Sequence, residues 1–428
     1  MQENKIEGIE ISQNHLPKKP IEEVEEDYEK LPPITLFHKI TLALLGICSL
    51  TGWNSILNAF DFFQAKFPKN DYVDVAFYFP IPIMCTNFLV GVTLTLIGNK
   101  IPIEKRIPFA LRGAVLTLVS ICLVGIYLKQ TQAGIAIVFI ILILQGIFDS
   151  LITNSSVALS GATQSGVLIS IYWTFTALSG IIMNVLRFIA FGAFGLEDLD
   201  NGTGLYFGVA TGFYITGSIC FTIFTNCDYY KAVLKRDQMK NKKQEEQQNQ
   251  ATPNAEKEIF KIQDNKIVAG PAPFFIFTNY VQTFMLFPGV SVFQKPQYTL
   301  IEFPYALVFM FMIYNIGDFT GKTLGGIQFL QKSFIAYSVV ISRFSYFILF
   351  ILIAQNEGSK DMQNDLFQFF LLFTFALTNG MITTILMTVA PQRATNVQDR
   401  YLISYVNIFS LTFGISIGSF MALILAKN

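Results

Sequence analysis

Hydrophobic positions along the chain come in long blocks, neither in the alternation of a strand nor in the single stripe of a soluble helix. Apolar runs long enough to cross ~30 Å of hydrocarbon as helices recur near 37–60, 73–98, 107–128, 133–158, 166–193, 204–226, 272–293, 303–325, 333–354, 366–389 and 401–425. The pattern predicts an all-α polytopic membrane protein with eleven transmembrane helices. Period-2 alternation is absent, which argues against an outer-membrane barrel. Polar segments separate the blocks. Residues 1–36 form an acidic tail with nine Asp and Glu before Leu31. They lack the basic stretch, apolar core and cleavage site of a signal peptide, so the tail reads as cytosolic. Residues 227–270 are rich in Lys, Gln, Asn and Glu and read as a disordered cytosolic loop. This loop divides the chain into a first helix bundle over 37–226, spans one to six, and a second over 271–428, spans seven to eleven. Six spans, a central loop and the remaining spans are the layout of two packed transporter halves with a solute path between them.

Lys and Arg orient this map. With the N-terminus inside, 21 of the 30 fall in the tail, the even-numbered loops and the span ends beside them (Lys39 and Lys322), and six in the odd-numbered loops and C-terminus. Arg112, Arg187 and Arg343 lie within spans. The bias places the N-terminus in the cytosol and the C-terminus outside. The sequon Asn201-Gly202-Thr203 then falls in an outer, acidic fifth loop as a glycosylation candidate, whereas the sequon at Asn154 is buried in span four.

Composition agrees with the block pattern. The 428 residues are 52% hydrophobic and 14% charged, with 43 Phe and a mean hydropathy of +0.47. No soluble surface of this size accommodates that balance. The net charge of zero gives no reason to expect nucleic acid as a partner. The two histidines, His15 and His38, precede or border the first apolar run, which leaves none for a buried metal site or a Ser-His relay. Cys48, Cys85, Cys122, Cys220 and Cys227 sit in apolar runs or at the start of the basic loop, so no disulfide framework is expected. His-Glu-x-x-His, Gly-x-Ser-x-Gly and phosphate-binding loops are all missing. We therefore expect no enzyme, no cofactor, no metal and no ATP-driven motor.

Candidate chemistry lies in the polar residues inside apolar spans, because a charge at mid-membrane must be paired or face water. Only two acids lie well inside, Asp149 in span four and Asp318 in span eight. In span eight, Phe311, Asn315, Asp318 and Lys322 are spaced to share one helical face. That stripe offers stacking, donors and acceptors to a polar, ring-bearing solute; an internal Asp318–Lys322 pair is the alternative. Gly317 and Gly321 permit close packing on another face. In span four, Gln145 presents a donor and an acceptor suited to a nucleobase edge, or serves as helix–helix glue. Asp149, one turn on, binds a proton or a substrate hydroxyl, or neutralises Arg112 or Arg343, with pairing the stronger expectation. Trp53-Asn54 lies in the middle of span one, where a large rigid ring suits a planar solute. Arg343 must be paired or hydrated, and Arg187, near the outer end of span five, is expected to snorkel. Pro80, Pro82 and Pro288 interrupt spans two and seven.

Taken in order and spacing, several of these segments resemble the equilibrative nucleoside transporters. Gly52-Trp53-Asn54 is similar to the family's Pro-Trp-Asn, and Leu144-Gln145-Gly146 follows in span four. Tyr314-Asn315-Ile316-Gly317-Asp318-Phe319-Thr320-Gly321-Lys322 resembles its Phe-Asn-x-x-Asp-x-x-Gly-Arg. Ser179-Gly180 with Arg187, Arg343, and Thr378-Asn379-Gly380 continue the pattern. The resemblance runs from span one to span eleven. It implies a major-facilitator-like fold of six plus five helices around a cavity of alternating access. It further implies that Trp53 packs on a nucleoside, Gln145 bonds the base and Asp318 takes the ribose hydroxyls, with Asn54, Leu57, Phe287, Phe311, Asn315 and Ile415 as cavity wall. The chain departs from the pattern at Lys322, whose ammonium lacks the planar fork of a guanidinium, and at Gly52, which replaces a proline and softens the span-one bend.

The expected function is transport of nucleosides or nucleobases across a membrane, the plasma membrane in the first instance, either facilitated or proton-coupled. Partners would be the solute, the lipid bilayer and, in the coupled case, protons; no feature signals an oligomeric interface. Two rivals stay open. A major-facilitator carrier of a sugar or another small polar solute would use Asp318 to Lys322 as a cytosolic latch, but Gly98-Asn99-Lys100 is a poor first-half copy. A non-transporting receptor or scaffold fits badly with eleven spans and buried charge.

Overall fold

Polar residues placed just before apolar runs start the helices. Thr131, Ser165, Asp198 and Asn364 each accept a hydrogen bond from a backbone N–H in the following turn, at 2.9, 3.3, 3.3 and 2.9 Å. These caps satisfy donors that the first turn leaves without helical partners. The computed structural model describes residues 31–97, 101–163, 165–195, 197–235, 270–291, 305–354, 362, 364–394 and 397–426. Its principal helices are α1 (Leu36–Leu57), α2 (Pro80–Ile97), α3 (Ile103–Tyr127), α4 (Gln132–Ala162), α5 (Gly166–Phe194) and α6 (Leu199–Thr225), followed by α7 (Ala272–Phe284), α8 (Tyr305–Gly325), α9 (Ser333–Ser342), α10 (Phe344–Ala354), α11 (Asp365–Gln392) and α12 (Val397–Ala426). Short helices Phe60–Lys66 and Val75–Tyr78 join α1 to α2. The all-helical expectation holds.

Eight helices among the described residues are long and apolar enough to cross a membrane, against the eleven expected; α9 and α10 count together as one of them. The three remaining blocks fall short for separate reasons. In the second block a short helix, Val75–Tyr78, ends just before Pro80, so the block is divided there as expected; α2 starts with Pro80 and Pro82 in its first turn, and its stretch Pro80–Leu94 counts as a shorter apolar helix. Proline is preorganised for that position and has no N–H to lose there. The helix of span seven also breaks. It ends at Phe284 in a wide turn, Met285–Val290, where Phe287 is extended (φ −137°, ψ 129°) directly before Pro288. A residue before proline is pushed out of the helical region in this way. Finally, α8 is made more polar by Asn315, Asp318 and Lys322. The loop expected to be disordered begins instead as a helix over 228–235, with Tyr229, Tyr230 and Val233 buried; the acidic tail up to residue 30 and the rest of the loop, 236–269, lie outside the described residues, as does Gly98-Asn99-Lys100.

Helices α1 to α6 pack mainly on one another, as do α7 to α12, and the two groups meet where α5 runs along α8 and α2 along α12. The α8–α11 contact is the tightest of all, because glycines line it. A Cβ on Gly317, Gly321 or Gly325 would come within 2.6, 2.0 or 2.8 Å of backbone oxygens of α11. Backbones this close gain dispersion contacts that a lipid-solvated bundle cannot obtain from hydrophobic burial alone. All five cysteines are free, as expected.

Candidate cavity between the two helix groups

A small cavity of about 70 Å³ lies between the groups. Ser49, Leu50 and Trp53 of α1 and Ile83, Met84 and Asn87 of α2 wall it on one side. Asp149 of α4, Phe284 of α7 and Thr412 and Ile415 of α12 complete it. At this size it holds a few waters, so a larger solute requires the helices to part. Around it the α2–α12 seam is aromatic, with Phe88 stacked on Phe413 at 5.4 Å and against Phe409 at 5.9 Å.

Behind the α4 wall lies a buried polar cluster. The Gln145 side chain accepts from Thr117 of α3 at 2.5 Å and donates to Asp149 Oδ1 at 2.7 Å. Tyr214 of α6 donates to the same oxygen at 3.2 Å. Gly52 makes room for this arrangement, since a Cβ there would sit 2.0 Å from Gln145 Nε2 and 2.8 Å from Asp149 Oδ1. Helix α1 continues unbroken through Gly52 to Leu57. The glycine therefore serves close approach, not the softer bend expected of it. Asp149 Oδ2 is buried and has no hydrogen-bond partner.

A second network lies among α7 to α11. Asp318 accepts from Asn379 at 2.8 Å through Oδ1 and pairs with Lys322 at 2.8 Å through Oδ2. Lys322 also reaches Thr176 of α5 at 3.3 Å, across the seam between the groups. Asn379 Oδ1 in turn accepts from Asn279 and Thr283. Thr283 accepts from Arg343 at 2.7 Å. Arg343 is fully buried at the break between α9 and α10, bonded also to Gln282, Thr378 and the Phe375 carbonyl, with its guanidinium 4.1 Å from the Phe375 ring.

The family model of nucleoside transporters matches residues 137–427. The chain belongs to the nucleoside transporter family. Two curated relatives of this nucleoside transporter agree. Equilibrative nucleotide transporter 1 of Arabidopsis thaliana is 23% identical over 400 residues, covering 90% of this chain and 85% of that protein. Equilibrative nucleotide transporter 8 of the same plant is 23% identical over 382 residues, covering 88% and 92%. Among solved structures, the E. coli xylose transporter XylE in a partially occluded, inward-open conformation superposes with a TM-score of 0.58 at 12% identity, covering 91% of this chain and 96% of that one. XylE bound to 6-bromo-6-deoxy-D-glucose gives 0.57 at 12% identity, covering 91% and 94%. That likeness shows a shared major facilitator superfamily fold.

Within this member of the family, the residues singled out from sequence separate into two sets. Trp53, Asp149 and Ile415 line the cavity. Gln145 lies behind Asp149, with its amide engaged on α3, α4 and α6 as in the helix-glue alternative. Asn54 donates to Ser179 of α5 at 3.3 Å, and Leu57 is core. Asn315 donates to Asn184 of α5 at 2.8 Å over Gly180, where a Cβ would collide with its side chain. Phe287 packs edge-to-face on Phe311 and stacks on Tyr314 at 4.1 Å, so the two expected wall phenylalanines occupy each other. Asp318 and Lys322 form the internal pair described above.

Three expectations are corrected. Asp149 pairs with Gln145 and Tyr214 and with neither arginine: Arg343 is held by α7 and α11 neighbours, and Arg112 is exposed. Arg187 does not snorkel; it is 1% exposed, pairs with Asp61 and donates to Thr203 at 3.1 Å. Asn201 sits in the first turn of α6 instead of a loop, and its sequon Thr203 is buried under Arg187. Sequence reasoning missed Phe284, Asn87, Thr412 and Tyr214. Asn87 and Thr412, polar residues in apolar runs, carried the signal that drew attention to Gln145; Tyr214 and Phe284 carried none.

Proposed function

We propose that this chain carries nucleosides, or nucleobases, across a membrane by alternating access around the cavity between α1, α2, α4, α7 and α12. The observation that carries the reading is the family match over residues 137–427, together with a cavity at the meeting of the two helix groups. Major facilitator folds move a solute by rocking two bundles about such a central site. We infer eleven crossings in six plus five, a cytosolic acidic tail over 1–36, bundles over 37–226 and 271–428, and a cytosolic loop over 227–270. The N-terminus is cytosolic and the C-terminus outside, in accord with the Lys and Arg bias. The plasma membrane is the proposed location. Trp53 and Ile415 form the apolar faces against the base. The Asp318–Lys322 pair and Asn315, now closed on internal partners, reach the ribose when α8 moves away from α5; Asn54, Leu57, Phe287 and Phe311 join the wall in that opened state.

The test is uptake of radiolabelled adenosine, uridine, hypoxanthine and xylose in transport-deficient cells. Saturable uptake of the first two or three, and none of xylose, is the expected result. Xylose uptake without nucleoside uptake would replace the reading with a sugar carrier. Adenosine uptake across an imposed pH gradient at fixed external pH decides between facilitated and proton-coupled transport. A tag inserted within 227–270 should be labelled only after permeabilisation; labelling of intact cells would overturn the orientation.

A further inference from the structure

We propose that Asp149 is a specificity-determining residue of the solute site, accepting a hydrogen bond from an N–H or O–H donor on the transported molecule, and that Gln145 acts through it as a positioning residue. The inference rests on the transport reading above and changes where its base or sugar contact lies. The Gln145 amide has both its atoms committed, its oxygen to Thr117 and its nitrogen to Asp149, and it does not border the cavity. Asp149 does border it. One of its oxygens faces α1 and α6, held by Gln145 and Tyr214, with a Cβ on Gly52 only 2.8 Å from it. The other, Oδ2, has no partner although the residue is 2% exposed. A buried polar atom without a partner is costly and is retained where something else completes it. Asp149 belongs to the cavity wall, and a solute group entering the cavity is the partner the inference assigns to Oδ2. A lone carboxylate oxygen suits a hydrogen-bond donor; a hard cation asks for about six oxygens. A nucleoside offers donors from two sources, the exocyclic or ring N–H of the base and the hydroxyls of the ribose.

The neighbours dictate what a substitution does. Gln145 and Tyr214 both donate to Oδ1, so in Asp149→Asn the amide oxygen takes that place and the amide nitrogen, a donor, faces the cavity. Asp149→Leu removes the acceptor outright at similar volume. Neither leaves an unpaired charge, and both are expected to reach the membrane.

The experiment measures inhibition of radiolabelled adenosine uptake by adenosine, purine riboside, and 2′-, 3′- and 5′-deoxyadenosine, at matched surface expression. The same ratios are read as thermal stabilisation of the purified proteins. In the wild type, one analogue lacking a donor should be weaker than adenosine by about tenfold or more, the cost of a buried acceptor left unmatched. That penalty should vanish in both variants, and in Asp149→Asn it should invert, while the other ratios stay as they were. Purine riboside as the affected analogue assigns the base amine, and a deoxyadenosine assigns a hydroxyl. Gln145→Glu, which replaces a donor to Asp149 by a second acid, should change the same ratio and no other. Identical ratios in wild type and variants, with nucleoside transport intact, overturn the inference alone. Absence of nucleoside uptake in the wild type overturns the transport reading and this inference with it.

Discussion

Asp318 and Asp149 are both acids buried on membrane helices, and their neighbours treat them differently. Asp318 has a cation one turn away, an amide on its other oxygen, and beyond these a chain of bonds through Asn379 and Thr283 to Arg343. Asp149 has a tyrosine and a glutamine on one oxygen and nothing on the other. The first arrangement is closed. Its charge is neutralised within α8, and among the described residues its link to the α1–α6 group is the bond from Lys322 to Thr176. The second is open and borders the cavity. The contrast is between an acid whose two oxygens are both filled by protein groups and one that keeps an oxygen unfilled.

Breaking the closed pair should have the largest effect. Asp318→Asn leaves Lys322 as a buried cation without its counter-charge, a loss of about 3–5 kcal/mol. Near-complete loss of uptake and a clearly lowered melting temperature are expected. The Asp318→Asn, Lys322→Met double variant removes both charges, and it should recover most of the stability without recovering transport. Asp149→Asn, by contrast, should not lower the melting temperature, because it removes an acid that no protein group balances. Equal destabilisation by the two Asn substitutions would erase the distinction between the two sites.

Gly52→Ala probes the support of the open acid. Its Cβ takes the space of Gln145 Nε2, so the amide must leave Asp149. A cost of about 1–3 kcal/mol from overpacking and lost hydrogen bonds is expected, read as reduced adenosine uptake at equal surface expression. Uptake at the wild-type level would show that Gln145 does not position Asp149. Lys322→Arg should do least. A guanidinium keeps the charge and can bond both Asp318 and Thr176, so uptake should change by less than about 1 kcal/mol, roughly fivefold.

How much of this was legible in the sequence depended on the kind of signal. Block hydropathy located the long helices, but it missed the short helix Phe60–Lys66 and the helix at 228–235, and it gave one span where α9 and α10 are separate. The helix boundaries of α2 and α7 depended on how each proline is placed, which the hydropathy blocks do not reveal: Pro80 begins a helix and Pro288 ends one. The i, i+4 spacing made the Asp318–Lys322 pair readable in advance. Spacing along one helix says nothing about partners on others, so the tie of Asp149 to Tyr214, sixty-five residues away, stayed hidden. Gly52 was read against its own helix, when its reason lies in the side chains of α4 that press on it.

The central claim is that a nucleoside occupies the cavity bordered by Trp53, Asp149 and Ile415. Thermal stabilisation by adenosine, measured on purified wild type and on Ile415→Trp, tests it most directly. The indole fills the cavity from α12 and replaces no member of either polar network. Adenosine should raise the wild-type melting temperature with increasing concentration, as a ligand of the folded state must. In Ile415→Trp the unliganded protein should melt close to the wild type, and adenosine should no longer shift it. Undiminished stabilisation of Ile415→Trp by adenosine would place the nucleoside elsewhere and contradict the account.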